Sequence, residues 1–298
     1  MIPVLSPLRY PGSKARLAGL IANLLERNLL VGSHIYEPFA GGASISLNLL
    51  ANGFVSSATL IERDPLIYSF WSVIKEDPEP LIKRIRSSKV TLASWKRLLP
   101  LREVKRPTSY QLGELAYAGL FFNRTCFSGI VGAGPIGGMN QSSKYKIDCR
   151  FNKEMIIKSI TAVHTIMQKV ELNFGDGITF LSRLGSNAAP HSFAYIDPPY
   201  VANGHKLYRY SFSVRQHQRL SMAVRELQAP WMISYDNHRL ITSLYSPALS
   251  STVSTYHALK GAKFVDELLI LSNNFELPRA PVVSHRRQGN KNEIGLFD

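Results

Sequence analysis

Cysteine is scarce in this sequence, and that limits the chemistry it can perform. Among 298 residues the two cysteines are Cys126 and Cys149, in no CxxC or Cys/His spacing. This argues against a disulfide-dependent secreted fold and against a zinc site. Neither cysteine lies next to a proline, as the nucleophile of a cytosine C5 enzyme does. We therefore expect no metal and no covalent cysteine intermediate.

Long hydrophobic runs are also missing. The first residues, MIPVLSPLRYPGSKARL, contain no apolar run long enough for a signal sequence. No segment approaches the roughly 18 uninterrupted apolar residues of a membrane span. We therefore predict a soluble, cytoplasmic protein without a membrane partner.

Acidic residues are few relative to basic ones. The chain has 35 Lys and Arg against 21 Asp and Glu, a formal charge of +14 and a pI of about 9.8. Residues 71–150 hold 14 basic and 6 acidic residues, and so carry +8 of that excess. Such a balance favours a polyanionic partner over a solvated basic face that binds nothing. An anionic membrane fits less well, because the basic residues do not lie on one amphipathic helix.

The pattern of the chain indicates an interrupted α/β fold. A strand ending at Tyr36, a glycine-rich turn, a helix from Ser44 to Gly53 and a strand ending at Glu62 form the first half of a nucleotide-binding doubly wound unit. Further predicted elements are helices at 15–30, 156–170 and 214–228, strands at 170–177, 193–197 and 230–236, and an antiparallel strand pair at 251–258 and 266–274. We divide the chain into a catalytic domain (1–70 and 151–275), a basic insertion (71–150) and a solvated tail (276–298).

The turn EPFAGGAS lets backbone approach a ligand closely, and the helix after it presents free N–H groups. Such turns also occur without any ligand. Glu62 follows the next strand, where an acid accepts hydrogen bonds from ribose hydroxyls in folds of this kind. Without GKS/T in this region, a P-loop is excluded.

The segment YIDPPY carries the most specific signal. Two prolines end the buried strand at Ile196 and stiffen the chain after Asp197. The Asp197 carboxylate and the Pro198 carbonyl can then accept both hydrogens of an exocyclic amine, which turns the nitrogen lone pair toward an electrophile. Tyr200 offers a flat face on which the ring can stack. This pattern suits alkyl transfer to a planar amino group.

Six ordered motifs resemble those of the Dam family, the D12-class S-adenosylmethionine-dependent DNA adenine N6-methyltransferases. They are PLRYPGSK (7–14), YEPFAGGAS (36–44), IERD (61–64), FFNRTCFSG (121–129), DGITFL (176–181) and YIDPPY (195–200). The resemblance spans residues 7–275 and implies a doubly wound, Rossmann-like α/β methyltransferase sheet with a mainly helical target-recognition insertion. It implies S-adenosylmethionine as cofactor and N6 of a flipped adenine in double-stranded DNA as acceptor.

The same resemblance implies roles for individual residues. The cofactor-binding residues would be Tyr10, Gly12, Lys14, Glu37, Phe39, Gly41, Gly42, Glu62, Asp176 and Asp197. The catalytic residues, which hold the adenine, would be Asp197, Pro198, Pro199 and Tyr200. The DNA-binding residues would be Asn123, Arg124, Phe127 and Ser128. The family turn is commonly Phe-x-Gly-x-Gly, and Ala43 stands at its last position. We expect this alanine to keep an ordinary backbone conformation.

Other functions stay open on the residues alone. The same chemistry could act on cytosine N4, on an adenine in RNA or on a glutamine side chain. A non-catalytic DNA-binding protein on this fold and a nicotinamide oxidoreductase are further alternatives, although the G-x-G-x-x-G spacing of the latter is missing. We expect a monomer or weak dimer, with a cognate restriction enzyme as a candidate partner.

Overall fold

The computed structural model describes residues 2–4, 6–9, 14–202, 204, 209–245, 249–258, 262–273 and 275. Tyr10, Gly12 and the segment 276–298 lie outside the described residues. The helices are α1 (Ala18–Arg27), α2 (Ser44–Ala51), α3 (Pro65–Glu76), α4 (Glu79–Ser87), α5 (Leu92–Leu98), α6 (Leu112–Thr125), α7 (Lys153–Met167), α8 (Gly177–Leu184), α9 (Val214–Arg225) and α10 (Arg239–Tyr245). The strands are β1 (Ser33–Glu37), β2 (Val55–Glu62), β3 (Val170–Phe174), β4 (Ser192–Ile196), β5 (Trp231–Asp236), β6 (Leu249–Ala258) and β7 (Ala262–Leu271).

The described strands form one sheet in the order β3-β2-β1-β4-β5-β7-β6. Strands β1 to β5 are parallel, and β7 pairs antiparallel with both β5 and β6. Strand β4, SFAYI, is buried along its whole length, as expected for a strand covered on both faces. The predicted doubly wound sheet and its antiparallel end are confirmed. The strand order reverses between β1 and β4, which opens a crevice at their carboxyl ends.

The basic segment is mainly helical and packs into the same core as the sheet. Helix α6 is buried from Leu115 to Asn123, and Phe121 shares one hydrophobic cluster with Trp71 of α3 and Ile35 of β1. A Cβ on Gly119 would lie 2.5 Å from the Leu66 carbonyl oxygen, so glycine permits the close approach of α6 to α3. Helix α3 continues across residues 70 and 71. The boundary that we place between residues 70 and 71 therefore separates two proposed functional roles, and it does not separate two units of packing.

Among the described residues, no helix is both long and apolar enough to cross a membrane. The described ranges also contain no group of three or more side chains placed to hold a metal ion.

Candidate active site

The crevice at the switch point is a cleft that opens to solvent. The crevice beyond the carboxyl ends of the strands at such a switch point is where open α/β sheets bind small-molecule cofactors. Its floor comes from the ends of β1, β2 and β4, and residues 209–212 form one wall. The predicted site residues that line it are Phe39, Gly41, Glu62, Asp176, Asp197 and Pro199.

The glycine-rich turn between β1 and α2 forms the base of the crevice. Gly41 has a φ of 47°, and the Trp71 indole N–H donates to its carbonyl oxygen at 2.8 Å. Our expectation for Ala43 is wrong, because its φ of 49° lies in the left-handed region. The residue is buried, and its N–H donates to the Ala40 carbonyl at 2.6 Å. Surrounding contacts thus hold alanine where the family commonly has glycine.

Two buried carboxyls flank this turn. The oxygens of Glu62 accept from the N–H groups of Gly41 at 2.9 Å and Asp64 at 2.7 Å. Glu37 accepts from the hydroxyl of Ser46 and from its N–H at 3.2 Å. Burial disfavours the charged form, and raises the pKa of Glu62 to about 7 and that of Glu37 to about 8. The ligand-free site therefore gains negative charge as the pH passes through neutrality.

These carboxyls predict a pH dependence of stability for the cofactor-free protein. Both pKa values are raised from an ordinary value of 4.5, so the folded state binds more protons than the unfolded state between that pH and about 8. The stability they contribute is complete below pH 4.5 and is lost as the pH rises through 7 to 8. For Glu62 the loss is on the order of 3 kcal/mol.

Urea unfolding at pH 5 and pH 8 measures this loss. We expect Glu62→Gln, which does not titrate, to lose less unfolding free energy between the two pH values than the wild type. Equal losses in the two proteins would contradict the assignment.

Asp176 also lines the crevice, at the start of α8 and next to the end of β2. One of its oxygens caps α8 by accepting from the Thr179 N–H at 2.9 Å, and the other lies 3.5 Å from an Arg63 nitrogen. Gly177 follows, and a Cβ there would lie 2.2 Å from the Pro38 carbonyl oxygen and 2.7 Å from the Phe39 ring. The β1 turn and the start of α8 are therefore in direct backbone contact.

Asp197 stands at the end of β4, half-buried and held by neighbours. Its Oδ1 accepts from the Ser234 hydroxyl at 2.9 Å, which in turn lies 2.9 Å from the Tyr195 hydroxyl. Its Oδ2 lies 3.3 Å from the Lys14 ammonium. The same ammonium lies 4.9 Å from the centroid of the Tyr200 ring, which is buried. The structure thus brings Lys14 and the predicted catalytic residues into one cluster.

The chain that leaves this cluster is fixed as well. Pro198 is buried, and Pro199 lines the crevice. The oxygens of Asp236, at the end of β5, accept from the N–H groups of Val201 at 3.0 Å and Ala202 at 2.8 Å. Both sides of the Asp-Pro-Pro-Tyr turn are therefore anchored to β5.

The predicted DNA-binding residues have different environments. Phe127 is 52 % exposed, in the segment of residues 126–152 that we call the α6–α7 loop, and Ser128 beside it has a φ of 55°. Asn123 is fully buried and hydrogen bonds to the backbone of Arg9 and Gly129. Arg124 donates to the Pro7 carbonyl, with its Nε at 3.0 Å. Contact of these residues with DNA stays a prediction.

Sequence reasoning missed several residues of the site. Arg209 pairs with Asp64 at 2.9 Å, and Phe212 packs edge-on against Phe39 with ring centroids 5.7 Å apart. No local pattern identifies these residues, because they reach the crevice from a distant part of the chain. Ser234 could have been found as a polar residue within the buried strand WMISYD, two positions before its end.

The residues that line the cleft are of the kinds that can hold S-adenosylmethionine. The carboxyls of Glu62 and Asp176 can accept hydrogen bonds from hydroxyl and amino groups, and the aromatic rings of Phe39, Tyr210 and Phe212 supply flat apolar surfaces. Because Gly177 has no side chain, the turn after β1 and the start of α8 can lie close together.

Comparison with known proteins gives a family. The model of the D12 class N6 adenine-specific DNA methyltransferases matches residues 10–261. No curated protein gave a significant match.

Solved structures give only weak similarity. The rRNA methyltransferase aviRa from Streptomyces viridochromogenes is 12% identical, with 89% of this chain and 87% of that chain covered and a TM-score of 0.37. The SAM-dependent methyltransferase NGO1261 from Neisseria gonorrhoeae is 8% identical, with coverage of 91% and 76% and a TM-score of 0.36. No conclusion rests on these two similarities. The family match covers most of the chain, and the protein therefore belongs to the D12 class of N6 adenine-specific DNA methyltransferases.

Proposed function

We propose that this S-adenosylmethionine-dependent DNA adenine N6-methyltransferase binds its cofactor in the crevice between β1 and β4 and takes a flipped adenine at Asp197–Tyr200. The observation that carries the proposal is the position of Asp197. Its carboxylate lines the crevice, and the same carboxylate is bound by Ser234 and Lys14 beside the Tyr200 ring. Cofactor and base would therefore meet at one carboxylate.

The reaction follows from these acceptors. S-adenosylmethionine, when bound, supplies a methyl group on a positively charged sulfur. Asp197 and the Pro198 carbonyl hold the two N6 hydrogens of adenine, so that the nitrogen lone pair points along the line of transfer. The Asp197 carboxylate stabilises the positive charge that develops on N6, which then releases one of its two protons to water, so that the products are neutral N6-methyladenine and S-adenosylhomocysteine. The residues named lie on one chain, so a monomer suffices.

The DNA would approach across the α6–α7 loop. Adenine N6 is buried in the duplex, and extrusion of the base costs a few kcal/mol. The exposed ring of Phe127 can fill the gap that the base leaves. Exposed basic residues of the same loop, Lys144, Lys146 and Arg150, can bind phosphates and offset part of that cost.

Methyl-group labelling tests the function. Purified protein is incubated with unmethylated DNA and S-adenosylmethionine that carries an isotopic label in its methyl group, and the DNA is then digested to nucleosides. We expect the label in N6-methyladenine. Label in N4-methylcytosine, or label only when RNA replaces DNA, would contradict the proposal. Sequencing of the methylated DNA gives the target site, and 2-aminopurine at the target adenine should then become more fluorescent on binding if the base is flipped.

A further inference from the structure

Arg102 is a half-buried cation that contacts the α6–α7 loop at two points. It lies in the short 3-10 helix Leu99–Glu103 that follows α5. One guanidinium nitrogen, Nη2, donates to the Cys126 Sγ at 3.0 Å and to the Ala133 carbonyl at 3.0 Å. These acceptors lie near opposite ends of the first turn of the loop, residues 126–134, which we call the 126–134 turn. A single side chain therefore holds both ends of that turn.

Two buried aromatic rings hold the guanidinium in place. Its Cζ lies 4.0 Å from the centroid of the Phe122 ring in α6 and 5.0 Å from that of the Trp95 ring in α5. The Trp95 indole N–H also donates to the Cys126 Sγ, at 3.3 Å. A planar guanidinium can stack on a ring and donate hydrogen bonds in its own plane at the same time, which an ammonium cannot. Through Arg102 and Trp95 the 126–134 turn is fastened to α5 and α6.

The same turn carries Phe127, the exposed ring that can fill the gap left by a flipped base. Arg102 binds Cys126, the residue directly before Phe127. It also binds Ala133, and the carbonyl of the next residue, Gly134, accepts from the Phe127 N–H at 3.0 Å. Arg102 therefore restrains the chain on both sides of Phe127, and each step of this path is a direct bond.

Stability alone does not explain an arginine at this position. Its Nε is buried and has no hydrogen-bond partner among the described residues. A buried donor without an acceptor lowers stability, and departures of this kind are expected at functional sites. The turn is itself strained, because Ser128 has a φ of 55°. Contacts such as those of Arg102 are needed to hold it.

We propose that Arg102 is a positioning residue for base flipping, which holds the 126–134 turn in the conformation that places Phe127 in the gap of the duplex. Without Arg102 the turn opens and Phe127 no longer lies where the extruded base has left its space. The base then returns to the stack more readily, because less of the free energy of extrusion is offset. This inference rests on the proposed function, in which the α6–α7 loop meets DNA.

Affinities for two short duplexes, one with the mapped target site and one without it, measure this role at a fixed salt concentration. In Arg102→Met the Kd for the target duplex should rise by about tenfold or more, as on loss of one base-pair contact. The Kd for the other duplex should rise only as far as loss of one positive charge requires, because that binding depends on phosphate contacts. The fluorescence of 2-aminopurine at the target adenine, at saturating protein, should fall below about half of its wild-type value.

Arg84→Met is the matched control. The Cζ of Arg84 lies 4.1 Å from the centroid of the Tyr117 ring of α6, and its Nη2 donates to Glu114 at 2.8 Å. Within the described part of the chain it makes no hydrogen bond to the α6–α7 loop. Its replacement removes the same charge and the same kind of ring contact but leaves the 126–134 turn held. We expect the full 2-aminopurine signal and equal small losses on both duplexes. Equal results for Arg84→Met and Arg102→Met would overturn the proposal.

Arg102→Lys separates position from charge and decides the case in which Arg102→Met does not fold. The ammonium keeps the charge but cannot replace the stacked, doubly bonded guanidinium. The Kd for the target duplex should rise by about threefold or more, the effect of one lost hydrogen bond, and the Kd for the other duplex should not change. Wild-type binding and flipping in Arg102→Lys would refute the positioning role.

S-adenosylhomocysteine, the product of methyl transfer, reports on the cofactor site in the same variants. Its Kd, measured by calorimetry, should stay within about twofold of the wild type in both Arg102 variants, since the 126–134 turn does not line the crevice. A parallel loss of this affinity would show a general structural role and overturn the proposal. Failure of the proposed function would appear instead as a wild type that methylates no DNA.

Discussion

Replacement of Asp197 by alanine should lower the rate of methyl transfer by about 10³-fold or more, with DNA still bound. The variant removes the acceptor that orients N6 and the negative charge that stabilises the transition state. Asp197→Asn keeps one oxygen in place and should lose less, about 10- to 100-fold, because an amide oxygen still accepts but carries no charge. Single-turnover rates with labelled cofactor and the mapped duplex measure both effects.

The Asp197→Ala variant also affects stability, because Asp197 lies beside Lys14. Lys14 is 4 % exposed, so removal of Asp197 leaves a buried ammonium without the carboxylate that lies 3.3 Å away. Loss of one partner of a buried ion pair destabilises the fold. The double variant Asp197→Ala with Lys14→Met removes both charges and should recover melting temperature without recovering activity. Activity within tenfold of the wild type in either variant would contradict the catalytic role of Asp197.

The sequence predicts the strands and turns that carry this site, because strands and turns have local signals in the sequence. The buried runs of β1 and β4, each followed at once by a turn of special chemistry, locate the carboxyl ends of two strands. Parallel strands in a doubly wound sheet bring such ends to one edge. Phe39, in the turn after β1, and Asp197, after β4, could therefore be expected from the sequence to share a crevice.

The side-chain partners were not predictable, because they come from distant parts of the chain. Ser234 reaches Asp197 across 37 positions, and Arg209 reaches Asp64 across 145. Asn123 was expected on DNA because the segment FFNRTCFSG resembles a motif of the family, yet the sequence does not show its burial or its three hydrogen bonds to backbone. A sequence motif thus identifies candidate functional residues more readily than it identifies the contacts that each of them makes.

The backbone conformation of Ala43 was likewise not predictable from the sequence. Propensity assigns alanine an ordinary conformation, since a left-handed alanine is strained. The surrounding turn overrides that preference through the Trp71 indole at Gly41 and the buried start of α2. The conformation of the glycine-rich turn therefore depends on the residues packed against it. If the turn holds the cofactor as proposed, a change in those residues should weaken cofactor binding more than a change in exposed loop residues.

Gly177→Ala tests that conclusion and should weaken cofactor binding and lower the rate of methyl transfer by about 100-fold, since a displacement near 1 Å costs this much in rate. The added Cβ would lie 2.2 Å from the Pro38 carbonyl oxygen and 2.7 Å from the Phe39 ring, so the turn or the start of α8 must shift. Alanine is otherwise the better helix former by roughly 0.5 to 1 kcal/mol. Without the clash, the variant would be more stable than the wild type.

Gly175→Ala is the matched control for this prediction. Neither glycine has a positive φ, and at position 175 the nearest atom to an added Cβ is Cγ2 of Ile61 at 3.9 Å. The N–H of residue 175 can still donate to the Glu62 carbonyl, now at 3.0 Å. Calorimetry with S-adenosylhomocysteine should give wild-type affinity for this variant and weak binding for Gly177→Ala. If both variants bind equally well, the contact between the β1 turn and α8 does not shape the cofactor site, and the supports of that turn act on stability alone.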